Sequence, residues 1–235
     1  IVLLLVMTAL CSMFLAAQGL PDVIKALLVL GAGSLAAGGA HALNHWFEHD
    51  IDNLMPRTKS RPVASGRISR NKALVFGIVL NFVAFFVLVT GVNLISAVLT
   101  LSATLFYILV YTIALKRRTH QNIVIGGAAG AMPPLIGWSA ITGGVDLPAI
   151  YLFAIVFMWT PPHFWALSLL IKDDYAKANI PMLPVVKSIS ETKKTILVYT
   201  IVLVSLTLTF AATDALGLLY FLLSIILGAM FIYYS

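Results

Sequence analysis

The chain has 235 residues, 60% of them hydrophobic and 10% charged, with a formal net charge of +6 and a mean hydropathy of +1.00. Such a composition excludes a soluble globular domain and points to a polytopic membrane protein. No nucleic-acid partner is expected.

A membrane-spanning helix takes about 17 to 25 apolar residues, and eight runs fit: 1–18, 22–47, 73–91, 93–115, 121–141, 147–171, 195–212 and 214–234. The first run has no basic stretch before it, starts at Ile1 without Met, and is followed by equally apolar sequence. It is therefore expected to be a membrane helix of a chain trimmed at its start, not a signal peptide. The single cysteine, Cys11, lies inside this run and is expected to be packing material, not part of a disulfide or metal site. In the second run "GAGSLAAGGA" and in the fifth "GGAAGAMPP" provide small residues for close helix packing. Neither follows a strand, so a nucleotide-binding loop is poorly supported.

Between the second and third runs stands "NHWFEHDIDNLMPRTKSRP", residues 44–62. Asn44, Glu48 and Asp52 are spaced i, i+4, i+8, which on a helix aligns one amide and two carboxylates along one wall over roughly 12 Å. Hard oxygen ligands of this kind suit Mg²⁺, which takes one or two carboxylates and fills its shell with water and phosphate oxygens. His41, His45 and His49 share the same spacing, but bring no Cys and no fixed fourth ligand for zinc. The plainer alternative is a solvated helix end paired with the bases that follow. Against it, Asn44 and Glu48 fall at headgroup depth or deeper, where polar residues are usually functional. Arg57, Lys59 and Arg61, with Lys116 and Arg117 after the fourth run, would neutralise a diphosphate. Each base alone reads first as a topology determinant or a lipid-headgroup contact, and it is their convergence with the carboxylates that points to phosphate.

Six, three and five of the fifteen Lys and Arg fall in the linkers after the second, fourth and sixth runs, leaving only Lys25 elsewhere. These linkers are expected to be cytoplasmic. The opposite linkers carry Lys25 with Asp22, Asp146 and Asp214. Two of the cytoplasmic linkers, 48–72 and 172–194, exceed what connection requires and are expected to be functional. "RPVASGRIS" (61–69) and "LPVVKSIS" (183–190) are alike, which suggests one polytopic domain built from four-helix pseudo-repeats, about 1–115 and 121–235.

In the sixth run Pro161 and Pro162 are expected to break the helix. His163, just after them, would stand beside carbonyls freed by the break and bond to them. Trp138, Trp159, Phe164 and Trp165 either face a cation or anchor the interface.

The stretch "NHWFEHDIDNLMPRTKSRPVASGRIS" resembles the first Asp-rich motif of the UbiA superfamily of intramembrane prenyltransferases, in the form of its protohaem IX farnesyltransferase branch. "TPPHFWALSLLIKDDYAKANIPMLPVV", residues 160–186, resembles the second signature of that branch and is the more specific of the two, because other branches usually carry Asp-x-x-x-Asp there. The resemblance covers nearly the whole chain. It implies an all-α, UbiA-type transmembrane bundle of nine helices around a central cavity. Eight are readable, and a Lys-Pro-Arg lead-in and a last helix are expected outside them. It implies Mg²⁺-assisted transfer of a farnesyl group from farnesyl diphosphate to a vinyl group of haem B, with water added, in a bacterial or archaeal plasma membrane or a mitochondrial inner membrane. Its implied partners are farnesyl diphosphate, haem B, the lipid bilayer and haem A synthase or a terminal-oxidase assembly.

Position by position, the resemblance assigns Asn44, Glu48 and Asp52 to metal and diphosphate, and Arg57, Lys59, Arg61, Lys116 and Arg117 to diphosphate. Lys172, Asp173, Asp174 and Tyr175 fall in the second motif. With haem as the implied acceptor, His163 is read two ways, as a haem contact by iron or propionate with Trp165 beside it, or as a side chain bonded to the freed carbonyls. No acid stands four residues after Asp173 or Asp174, so a single-metal or lysine-assisted arrangement is expected. Two other readings compete. An enzyme acting on an aromatic or quinone precursor predicts an intact second Asp motif. A transporter or non-catalytic subunit predicts charges near the bilayer midplane.

Overall fold

The computed structural model describes residues 2–211, 213 and 216–235. Ile1, Ala212, Asp214 and Ala215, which open or close three of the expected runs, lie outside the described residues. All regular structure among the described residues is helical. The long helices are α1 (Val2–Ala17), α2 (Val23–Phe47), α4 (Arg70–Gly91), α5 (Leu94–Leu105), α6 (Asn122–Thr142), α7 (Leu147–Leu170), α10 (Ile189–Ala211) and α11 (Leu218–Tyr233). Helix α5 runs on as a π-helical stretch, Phe106–Leu115. Three short helices, α3 (His49–Leu54), α8 (Lys172–Lys177) and α9 (Leu183–Val186), lie in the two long linkers. Six helices are long and apolar enough to cross a membrane, α5 counted with its extension, and α1 and α11 are shorter apolar helices. The chain is thus a multi-pass integral membrane protein, and its many exposed Leu, Ile, Val and Phe side chains form the lipid-facing surface.

Lipid supplies no hydrophobic drive between helices, so small residues and interhelical hydrogen bonds hold the bundle together. Gly39 of α2 and Gly77 of α4 face each other so closely that a Cβ on Gly39 would stand 2.8 Å from the Gly77 carbonyl oxygen. Thr104 Oγ1 donates to Asn81 Oδ1 at 2.8 Å, joining α5 to α4. The Ser96 and Ser139 hydroxyls pair at 2.9 Å, joining α5 to α6. Each such bond contributes about 0.6 kcal/mol, so packing, not any single bond, fixes the arrangement. An apolar core of Met13, Val29, Ala36, Leu88 and Ile136 fills the half of the bundle away from the long linkers.

Several expectations are corrected. Helix α10 starts at Ile189, not near 195, because Ser188 and Glu191 form a capping box: the Ser188 hydroxyl and backbone N–H donate to Glu191 Oε2 at 2.8 and 3.0 Å, and Glu191 N–H donates to Ser188 Oγ at 3.2 Å. Likewise Ser69 caps α4, which starts at Arg70, three residues before the expected start. Helix α7 is not broken at Pro161 and Pro162. Thr160 returns its hydroxyl to Val156 O at 2.8 Å and packs against Gly127 of α6, so a neighbouring helix holds the segment where backbone donors are missing. Cys11 is exposed on α1 instead of packed inside.

Candidate active site

Asn44 occupies the last turn of α2, Glu48 the junction and Asp52 the short α3. The chain bends at Glu48, yet the bonds Glu48 N–H to Asn44 O (2.8 Å) and Asp52 N–H to Glu48 O (2.9 Å) carry the helical ladder through. The three side chains therefore keep the common wall expected from their spacing, and all are buried, Glu48 completely. An unpaired carboxylate there would cost several kcal/mol, so each must meet a base. The turns of 55–69 fold back to bring Arg61 Nη1 between Asp52 Oδ1 and Oδ2, at 2.9 and 3.0 Å. Lys116 Nζ lies 2.5 Å from Glu48 Oε2.

The π-helical stretch positions Lys116. Lys116 N–H donates to Tyr111 O at 2.9 Å and the Thr112 hydroxyl to Tyr107 O at 3.0 Å, both five residues back. The widened turn carries Thr112 under Asn44, whose Nδ2 donates to its hydroxyl at 3.3 Å, and Lys116 to Glu48. Tyr107 and Tyr111 stack at 5.5 Å. Gly126 lies against the Tyr111 ring where a Cβ would clash. Arg117 turns the other way. It forks onto Asp50 at 2.8 and 2.9 Å and lies 5.3 Å from the Phe47 ring centroid. Burial pushes the Asp50 carboxyl up, but the Arg117 hydrogen bonds, a backbone bond and the Arg117 charge together hold it below its ordinary value.

The second long linker docks on the first through an apolar cluster in which Tyr175, Ile180 and Met182 meet Ile51, Met55 and Ile123. Burial raises the pKa of the Tyr175 phenol, the Arg57 charge opposes it, and the Glu48 carboxylate adds to it, so Tyr175 belongs to the same electrostatic neighbourhood. Of the other second-motif residues, Lys172 and Asp174 are half-buried and Asp173 is exposed. None of these three joins the Glu48–Asp52 wall through an ion pair among the described residues. Arg57 and Lys59 are exposed.

Beneath this wall a cavity of about 320 Å³ runs between α1, α2, α5, α6 and α7, lined by Tyr107, Tyr111, His41, Ile123, Phe164 and, at its far end, Val29. Its lining is mostly apolar, as suits a hydrocarbon tail. His163 is exposed beside two lining residues, Thr160 and Phe164, with its ring stacked on Trp159 at 4.2 Å. Trp165 is buried against Leu183 and Ile196, edge-on to Tyr199, with no face open to a ligand. Trp138 donates to Asp146 Oδ2 at 2.9 Å at the opposite end of the bundle, far from any cation formed at the wall.

A profile of the UbiA prenyltransferase family matches residues 5–235. The chain belongs to the UbiA prenyltransferase family. It is 50% identical over 234 residues to the protoheme IX farnesyltransferase of a Picosynechococcus species, covering 99% of this chain and 74% of that one. It is 49% identical over 229 residues to protoheme IX farnesyltransferase 1 of Saccharopolyspora erythraea, covering 97% and 73%. Among solved structures it is similar to a UbiA homolog from Aeropyrum pernix in its apo form, with TM-score 0.79 at 18% identity, covering 99% and 86% of the two chains. A UbiA homolog from Archaeoglobus fulgidus bound to GPP and Mg²⁺ gives TM-score 0.76 at 17% identity, covering 99% and 82%. These structures share the UbiA-type bundle.

Among the described residues no group of three or more His, Cys, Asp or Glu is placed to hold a metal ion. The oxygen that fits one is Glu48 Oε1, buried and without a hydrogen-bond partner, while Asp52 has both oxygens on Arg61. Sequence reasoning missed Thr112, Tyr107, Tyr111 and Asn122. A lone polar or aromatic residue within an apolar run carries no pattern, and the only available signal was its polarity at membrane depth.

Proposed function

We propose that this family member transfers the farnesyl group of farnesyl diphosphate to a vinyl group of haem B, making haem O. The observation that carries the reading is the buried Glu48–Lys116 pair, with Glu48 Oε1 free, standing over a mostly apolar cavity. This suits a ligand with a charged head and a hydrocarbon tail. The protoheme IX farnesyltransferases at about half identity over nearly the whole chain supply the acceptor.

The tail lies in the cavity and the diphosphate meets Lys116, Arg61 and Arg57, donors that favour the leaving group as its charge develops. Mg²⁺ would be held by Glu48 Oε1 beside Asn44, with Asp52 joining as Arg61 turns to the diphosphate, and would add further charge stabilisation to the diphosphate. Loss of diphosphate leaves an allylic cation faced by the Tyr107 and Tyr111 rings. The vinyl carbon attacks it, water adds to the resulting cation, and a proton leaves. Farnesyl diphosphate, haem B and water thus give haem O and diphosphate, with no redox step. Because the tail takes the cavity, the haem approaches from beside it, at the exposed His163 and the half-buried Trp159 on which it stacks. Trp159 takes the place expected for the inaccessible Trp165. Arg117, occupied by Asp50, steadies the loop instead of binding phosphate. The long linkers face the cytoplasm, and the product passes to haem A synthase or a terminal-oxidase assembly. Incubation of the purified protein with Mg²⁺, farnesyl diphosphate and haem B, followed by mass spectrometry, tests the reading. Haem O should form, and its absence in folded protein would refute the assignment.

A further inference from the structure

Asn122 opens α6 and is completely buried. Its Nδ2 donates to the Lys116 backbone oxygen at 3.3 Å, while its Oδ1 has no partner. Lys116 also ends on Glu48, whose Oε1 is the other unpartnered oxygen of the wall. Two buried acceptors without donors thus bracket one lysine, and the next residue, Ile123, lines the cavity. A buried amide oxygen left without a donor is costly, so such an oxygen calls for a donor from outside the protein. Lys116 Nζ is already on Glu48 Oε2.

We propose that Asn122 is a positioning residue of this site, its Oδ1 accepting a hydrogen bond from the water shell of the divalent cation that accompanies the diphosphate. The inference rests on the diphosphate–metal reading above. A metal-bound water extends the reach of the ion by one hydrogen bond, so Asn122 need not touch the cation to orient it. The same side chain, through Nδ2, fixes the end of the π-helical stretch from which Lys116 reaches Glu48. Asn122 would thereby align the cation and the base against one carboxylate.

The test uses the full chain in lipid nanodiscs, Mn²⁺ in place of Mg²⁺, and a non-hydrolysable farnesyl diphosphate analogue, with free Mn²⁺ read by electron paramagnetic resonance. Asn122→Ala should weaken Mn²⁺ binding about 10-fold or more, the usual effect of losing such an outer partner. Its thermal midpoint should fall by a few degrees, from the lost Nδ2 bond, without loss of the fold. Asn122→Asp, of the same shape but a stronger acceptor, should bind Mn²⁺ more tightly than the parent. Unchanged Mn²⁺ affinity in Asn122→Ala, or an Asn122→Asp variant no tighter than the parent, would overturn the proposal. If Asn122→Ala does not fold, Asn122→Asp alone decides. Failure of the broader reading shows separately, as a parent protein that makes no haem O while Mn²⁺ and analogue binding are still measured.

Discussion

Replacing Lys116 with Met removes the only partner, among the described residues, of a carboxylate that is 0% exposed, while the Lys116 side chain itself is 15% exposed. Glu48 Oε1 is already unpartnered, so the variant leaves both oxygens of a buried carboxylate without a donor. Breaking a buried pair in this way costs about 3–5 kcal/mol, and the partial exposure of the lysine favours the lower figure, about 3 kcal/mol. For a chain of this size each kcal/mol moves the thermal midpoint by roughly 2–4 °C, giving a fall of about 6–12 °C. The assay is thermal unfolding in detergent with chelator present, so that no divalent ion takes the place of the lysine. Replacing both partners, Glu48→Met with Lys116→Met, should restore most of the loss, because an apolar pair of similar volume is nearly neutral in a buried site. An unchanged midpoint in Lys116→Met, or a double variant no more stable than the single, would refute the reasoning that the pair is buried and mutually dependent.

Asp52→Ala should lower turnover by at least about 100-fold while the protein stays inserted and folded, since Arg61 is 28% exposed and can be solvated when its partner goes. Haem O production near the parent level would contradict this. The folded-state pKa of Asp50 lies below its ordinary 3.8, so its contribution to stability is present above that value and is lost as pH falls through the lower folded value. The stability difference between parent and Asp50→Asn should therefore be constant above about pH 5 and shrink in the acid range below about pH 4, measured by unfolding across pH. His163→Ala should weaken haem B binding, seen by Soret titration, and leave binding of the diphosphate analogue intact; an unchanged titration returns His163 to a structural role. A cysteine placed at Ser65 should label from the cytoplasmic side alone, and labelling only from the outer side would reverse the orientation.

The Asn44–Glu48–Asp52 wall was legible in the sequence because the helical ladder survives the bend at Glu48, so spacing translated directly into a shared face. The eight apolar helices were legible for a similar reason, length and hydropathy being local properties. What could not be read was pairing across the chain. Lys116 and Arg117 are neighbours, yet one turns to Glu48 and the other to Asp50, a division set by the π-helical stretch before them. Tyr107 and Tyr111 look like packing in an apolar run until Gly126 and the cavity give their rings a position. Pro161 and Pro162 misled because proline acts on its own helix, whereas the continuity of α7 depends on the helices packed beside it. The start of α10 was readable, since Ser188 and Glu191 have capping-box spacing, but the hydropathy of the segment hid it.

The most direct measurement follows diphosphate and porphyrin product together in one reaction containing Mg²⁺, farnesyl diphosphate and either haem B or an aromatic acid acceptor. One diphosphate should be released for each haem O formed, with no prenylated product from the aromatic acid and no release from Glu48→Ala/Asp52→Ala. Farnesyl transfer to the aromatic acid in preference to haem B, or transfer that persists without the two carboxylates, would contradict the account.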